Sequence, residues 1–110
     1  MNWTKDFSAA ITICNKEGII TYMNDQAAAM FANNGGYDLI GKNLFECHKP
    51  SSNEKMAEIM RTGKPHIYTT EKNGIKRLFY QAPHIENGEV LGIVDLAMEI
   101  PFEMPHHIRS

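Results

Sequence analysis

With 110 residues, a hydrophobic fraction of 43% and a charged fraction of 22%, the chain has the composition of one globular domain with a thin core. Its net charge of −2, with 11 basic residues interleaved among 13 acidic ones, offers no basic stripe for nucleic acid, and no apolar run approaches the roughly 18 residues of a membrane span. The cysteines Cys14 and Cys47 are too few for a disulfide framework or a zinc site, and no secretory signal opens the sequence. A reduced, cytoplasmic setting is expected, with neither nucleic acid nor membrane as a partner.

Ile11 and Ile13 alternate with Thr12 and Cys14 in the period of two that marks a half-buried strand. Asn15 to Gly18 follow as a polar turn, and Ile19 to Met23 read as a second strand, so the two form a hairpin. Asn24 or Asp25 can cap a helix running through Ala27 to Ala32, which Asn33, Asn34, Gly35 and Gly36 end. Between Tyr37 and His48, apolar Leu39, Ile40, Leu44 and Phe45 surround Gly41, a pattern read as short helical turns. Ser51 and Glu54 then form a capping box, with Pro50 blocking upstream extension. Met56, Ile59 and Met60 share one face of the helix that follows, and Gly63 and Pro65 stop it.

The last third reads as a three-stranded meander: Ile67 to Lys72, Ile75 to Ile85 and Glu89 to Ile100, joined at Asn73-Gly74 and Asn87-Gly88. Two-residue loops at both corners would set Tyr68 opposite Phe79, His66 opposite Gln81, Gln81 opposite Val94 and Phe79 opposite Leu96. One face then carries Tyr68, Phe79, Val94, Leu96 and Met98, with Gln81, His66 and Arg77 among them. The other carries Ile67, Leu78, Tyr80, Ile93 and Ala97, with Asp95 and Glu99. Both faces are too apolar for a sheet with one side in water, so one should pack on the helices and the other on a partner. A homodimer through Ile67, Leu78, Tyr80, Ile93 and Ala97 is the first expectation; cover by the termini around Trp3, Phe7 and Phe102 is the plain alternative. A bulge at Pro83 would shift the second hairpin and mix these faces.

Two strands, short helices and a three-stranded meander follow the element order of the PAS fold. The segment ITICNKEGIITYMND resembles the opening of that family, LIGKNLFECH its helical crossing, and NGEVLGIVDLAMEI its last strand. The resemblance covers roughly residues 7 to 100, with 101–110 as a tail of a single domain. It implies an α+β domain whose five-stranded antiparallel sheet, in the order 2-1-5-4-3, carries helices on one face over a pocket. It also implies a bacterial signalling protein that binds a small molecule and relays its presence through a dimer or through a signalling protein in trans. A ligand-free docking module is the alternative. Residues after Ile100 are too few for an output domain, so the chain is expected to act in trans or to be an excised domain.

The expected pocket is lined by Met30, Phe45, Cys47, His48, Met56, Met60, Tyr68, Phe79, Gln81 and Leu96. Cys47-His48-Lys49-Pro50-Ser51 is similar to a stretch found ahead of the long helix in some bacterial PAS domains, yet Cys47 as a small hydrophobe and His48 as a surface or capping residue explain it as well. A redox or metal role is the smallest of the three readings. Gln81 bonds either a ligand or another core group. Arg77 falls near a hairpin tip, where solvent is its simplest partner, and His106 and His107 sit on the tail. No cofactor is obligatory on this reading. Haem would use His48 or His66 as its axial ligand, and flavin photochemistry is not expected, because the Asn-Cys-Arg-Phe-Leu-Gln stretch of light-sensing members is absent. Catalysis is not expected either: Cys47 and His48 are sequence neighbours with no orienting group, and no phosphate loop is present.

Overall fold

Asn73-Gly74 and Asn87-Gly88 adopt positive φ throughout (55° and 77°, then 52° and 80°), the type I′ geometry whose twist matches the strands it joins. The computed structural model, which describes residues 2–47 and 50–110 apart from the side chains of Phe45 and Cys47, therefore ends in a meander of β3 (His66–Lys72), β4 (Ile75–Glu86) and β5 (Glu89–Ile100). Upstream, β1 (Ala10–Asn15) and β2 (Ile20–Met23) form a hairpin, and α1 (Asp25–Met30), α2 (Leu44–Cys47) and α3 (Pro50–Thr62) occupy the crossing to β3. The described strands make one five-stranded antiparallel sheet, ordered β2-β1-β5-β4-β3, the PAS order that the sequence resemblance implies.

Two helix boundaries differ from the sequence reading. α1 stops at Met30, and the chain tightens into 3-10 turns at Ala32–Asn34 and Gly36–Leu39, with Gly35 left-handed (φ 116°) between them. α3 opens on Pro50 itself, whose fixed φ suits a first helical position, so Ser51 lies inside the first turn and is not its cap.

The β3–β4 register is the expected one: Tyr68 faces Phe79 and His66 faces Gln81. The β4–β5 register is not. His84 pairs with Gly92 but Ile85 with Val90, so Leu91 is an extra residue bulged out of β5, next to the point where Pro83 has no N–H to offer the ladder. Beyond it every partner moves by one: Gln81 faces Asp95, not Val94, and Phe79 faces Ala97, not Leu96. A slip of one residue exchanges the two faces of a strand. Val94, Leu96 and Met98 accordingly join Ile67, Leu78 and Tyr80 on the outer face, while Ile93, Asp95 and Ala97 turn toward the helices. Ile93 and Ala97 are buried in the core.

Gly92 fixes this arrangement. A Cβ there would stand 1.9 Å from the carbonyl oxygen of Cys14, so only glycine lets β5 close on β1 beside the bulge.

Asn24 ties the N-terminal half together. Fully buried, its Oδ1 accepts from the amides of Ile11 (2.9 Å) and Ala27 (3.0 Å), and its Nδ2 donates to the carbonyls of Thr4 (2.9 Å) and Ala9 (2.8 Å). One amide thus caps α1, holds β1 and anchors the segment before it. Nearby, hydrogen bonds from the Tyr37 hydroxyl and then the Lys5 ammonium hold the Asp25 carboxyl below its ordinary range.

Asn24→Ala should destabilise the domain by about 3 kcal/mol in urea unfolding, since four backbone groups lose their partner at once; a loss below about 1 kcal/mol would refute the junction. Gly92→Ala should prevent the native sheet from forming, and a native-like amide spectrum for that variant would contradict the close approach.

Candidate functional site

Between the inner face of the sheet and the helices lies a cavity of about 490 Å³. Its floor is built by cross-strand pairing. Thr12 on β1 faces Asp95 on β5, Asp95 faces Gln81 on β4, and Gln81 faces His66 on β3, so one polar row crosses four strands. Apolar rows flank it, with Cys14 and Ile93 on one side and Tyr68 and Phe79 on the other. Ile20 and Met23 from β2, Leu39, Leu44 and Met56 form the walls, and Phe31, Asn34, Lys42 and Asn43 stand toward the rim.

The hydrogen bonds along the row orient it. Gln81 Nε2 donates to Asp95 Oδ2 at 2.8 Å, and Gln81 Oε1 lies 3.2 Å from His66 Nδ1. The carboxylate oxygen of Asp95 accepts this bond, which sets the amide with its nitrogen toward Asp95. The amide oxygen therefore faces His66, whose Nδ1 must carry the proton. Beside the row the rings of Tyr68 and Phe79 stack, centroids 5.0 Å apart and planes within 7°, and make a flat patch of floor.

Burial first, and the charge of Asp95 second, push the Tyr68 phenol above its ordinary pKa, so it stays a neutral O–H donor at physiological pH. Burial likewise raises the Cys14 thiol, against a smaller opposing hydrogen bond from the Ile93 backbone. Cys14 is thus a polarizable piece of wall and a poor nucleophile.

Of the candidates named from the sequence, Met56, Tyr68, Phe79 and Gln81 line this cavity. Met60 packs behind it against the cluster of Cys14, Met56, Ile59 and Ile93. Met30 packs on the cluster around Ala10 and Ala97, beside a smaller hollow of about 250 Å³ that Arg77 also borders. Leu96 lies on the opposite face, through the slip at Leu91. The side chains of Phe45 and Cys47, and His48 altogether, lie outside the described residues.

Sequence reasoning missed Thr12, Cys14, Ile93 and Asp95. The signal that could have found them is Leu-Gly at 91–92 opposite His84, one residue from Pro83, a bulge pattern that turns Asp95 inward.

On the outer face Ile67 (53% exposed) and Tyr80 (37%) stand open beside half-buried Leu78, Val94 and Leu96. Ile93 and Ala97, expected there, are inside. Trp3, Phe7 and Phe102 remain exposed and do not bury themselves as a cover, although Trp3 and Phe7 pack edge-to-face on one another at 5.3 Å.

Iodoacetamide at pH 7.5, followed peptide by peptide, should label Cys14 about a hundredfold more slowly in the folded protein than in urea. Equal rates would show the thiol to be reactive in the native state.

A family model described as "PAS domain" matches residues 8–94. A search of curated proteins found no match. Among solved structures, a C-terminal domain from Streptococcus mutans superposes with a TM-score of 0.70 at 21% identity, covering 87% of this chain and 78% of that one. The Aer2 receptor from Vibrio cholerae, a dual PAS-heme oxygen sensor, superposes with a TM-score of 0.63 at 17% identity, covering 84% and 95%. VqmA bound to DPO superposes with a TM-score of 0.66 at 14% identity, and the match covers 87% of this chain but only 54% of that receptor. At these identities the likeness is one of fold.

Proposed function

This chain belongs to the PAS domain family, a family of sensory domains, and we propose that it takes a small molecule into the cavity above its sheet and passes that occupancy to the outer sheet face. The carrying observation is the cavity itself: about 490 Å³ of space, mostly apolar walls and a single hydrogen-bonded polar row on the floor. Few convergent polar groups in an apolar hollow are the usual make-up of a small-molecule site. The role is one of binding; no nucleophile with its base and orienting group is assembled among the described lining residues.

The relay follows from the pleat. Successive side chains on a strand point to opposite faces, so Asp95 has Val94 and Leu96 as neighbours on the outer surface, and Gln81 has Tyr80. A ligand that shifts the polar row moves the backbone that presents those side chains. The partner on that face is a second copy of this chain or a signalling protein, which would cover Ile67, Leu78, Tyr80, Val94 and Leu96.

A second reading, a docking module that needs no ligand, is favoured by the same exposed apolar strip. Native mass spectrometry of freshly purified protein separates the two. The sensor reading expects bound small-molecule mass, or a rise of several degrees in melting temperature for at least one member of a metabolite panel. Repeated absence of both would leave the docking module.

For the partner face, Tyr80→Asp should lower the sedimentation mass of a dimer while preserving the fold, since the side chain is partly in water. An unchanged mass would reject self-association through this surface.

A further inference from the structure

The side chain of Tyr68 lines the cavity, yet its hydroxyl makes no hydrogen bond with any described residue, and its neighbours do not wall the oxygen in. The ring that carries it is held from two sides. Phe79, opposite on β4, stacks on it at 5.0 Å with planes 7° apart, and His66, two residues earlier on β3, packs at 4.8 Å and 35°. A ring gripped in this way presents its hydroxyl at a fixed place, so little side-chain freedom is lost when a ligand meets it. Burial keeps the phenol protonated, which makes that hydroxyl a donor.

The other polar groups of the lining are differently placed. Gln81 and Asp95 engage each other, and Asn43 has a partner of its own. Asn34 and Lys42 are exposed at the rim. Thr12 carries a second half-buried hydroxyl without a hydrogen bond, but β1 lies three strand spacings from β3, about 14 Å away.

These differences discriminate among occupants. A wholly apolar molecule fills the hollow but takes water from the phenol and returns no acceptor. A fully charged one sheds its hydration among mostly apolar walls, which one neutral O–H does not offset. A neutral molecule with an acceptor at the Tyr68 end meets both demands.

Resting on the reading of the cavity as a ligand site, we propose that the Tyr68 hydroxyl selects its occupant by donating to a small neutral ligand that carries a carbonyl or ring-nitrogen acceptor on an otherwise apolar body.

Acetophenone and ethylbenzene test this, since they share a shape and differ in the carbonyl oxygen. Each is titrated into chain isotope-labelled at its amides and at tyrosine Cζ, and followed by NMR. Both should shift the amides of Cys14, Phe79 and Ile93 around the hollow, but acetophenone alone should move the Tyr68 Cζ signal. Tyr68→Phe keeps the stacked ring and removes the hydroxyl, so it should weaken acetophenone about fivefold and leave ethylbenzene within about twofold. Acetophenone that binds in the cavity with the Cζ signal unmoved, or that the substitution weakens no more than ethylbenzene, would overturn the donor role and leave the small-molecule reading standing. No shift in the cavity from either probe would overturn both. The Cζ signal is read in the wild-type chain, so a poorly folded Tyr68→Phe protein does not protect the idea.

Discussion

One extra residue in β5 decides what faces the cavity. With Leu91 bulged out and Gly92 pressed against the carbonyl of Cys14, the strand enters its pairing with β1 and β4 shifted by a single position. The side-chain period of a strand is two, so that shift reverses the whole inner and outer assignment downstream. Without it Val94 and Leu96 would form the floor and Asp95 would lie outside. The polar row, the burial of Ile93 and Ala97, and the composition of the outer face all descend from this one irregularity.

A second constraint works at the other end of the sheet. Asn24 spends all four of its hydrogen-bonding positions on backbone groups from the N-terminal segment, β1 and α1. A buried amide is tolerated only when it is fully partnered, and this one is. It therefore defines where α1 starts relative to β1, and hence where the 3-10 turns that follow α1 bring Leu39 to the cavity wall.

Most of the architecture was legible because its signals are local. Asn-Gly corners, the polar turn at Asn15–Gly18 and the helical spacing of Met56, Ile59 and Met60 each depend on neighbours in the chain. The β3–β4 register could be counted outward from Asn73-Gly74 and came out residue for residue. The β4–β5 register failed, because a bulge is not announced by alternation. Pro83 on the facing strand pointed to a disturbance without saying which strand would carry the extra residue. The candidate site inherited that error: Met56, Tyr68, Phe79 and Gln81 stand on elements whose register was readable, whereas Asp95 and Ile93 lie beyond the bulge, and Thr12 and Cys14 became floor residues only by pairing with them.

The cavity also bears on how binding would be felt. The buried core is not continuous: Ala10, Ile20, Met23, Ala27 and Ala97 form one cluster, and Cys14, Met56, Ile59 and Ile93 another. Leu44 packs against both, and residues of each line the hollow. In a domain this small, core area is scarce, and a polar row laid across the floor keeps the two clusters from closing on each other. A ligand seated there would contact both clusters and the row at once, standing in for core that the chain does not supply. Binding to the folded state alone raises stability by mass action, and here the added contacts would fall on the strands whose other side carries Tyr80, Val94 and Leu96. The hollow that leaves the domain short of core is thus, on the proposed reading, the feature through which its outer surface would respond to a ligand.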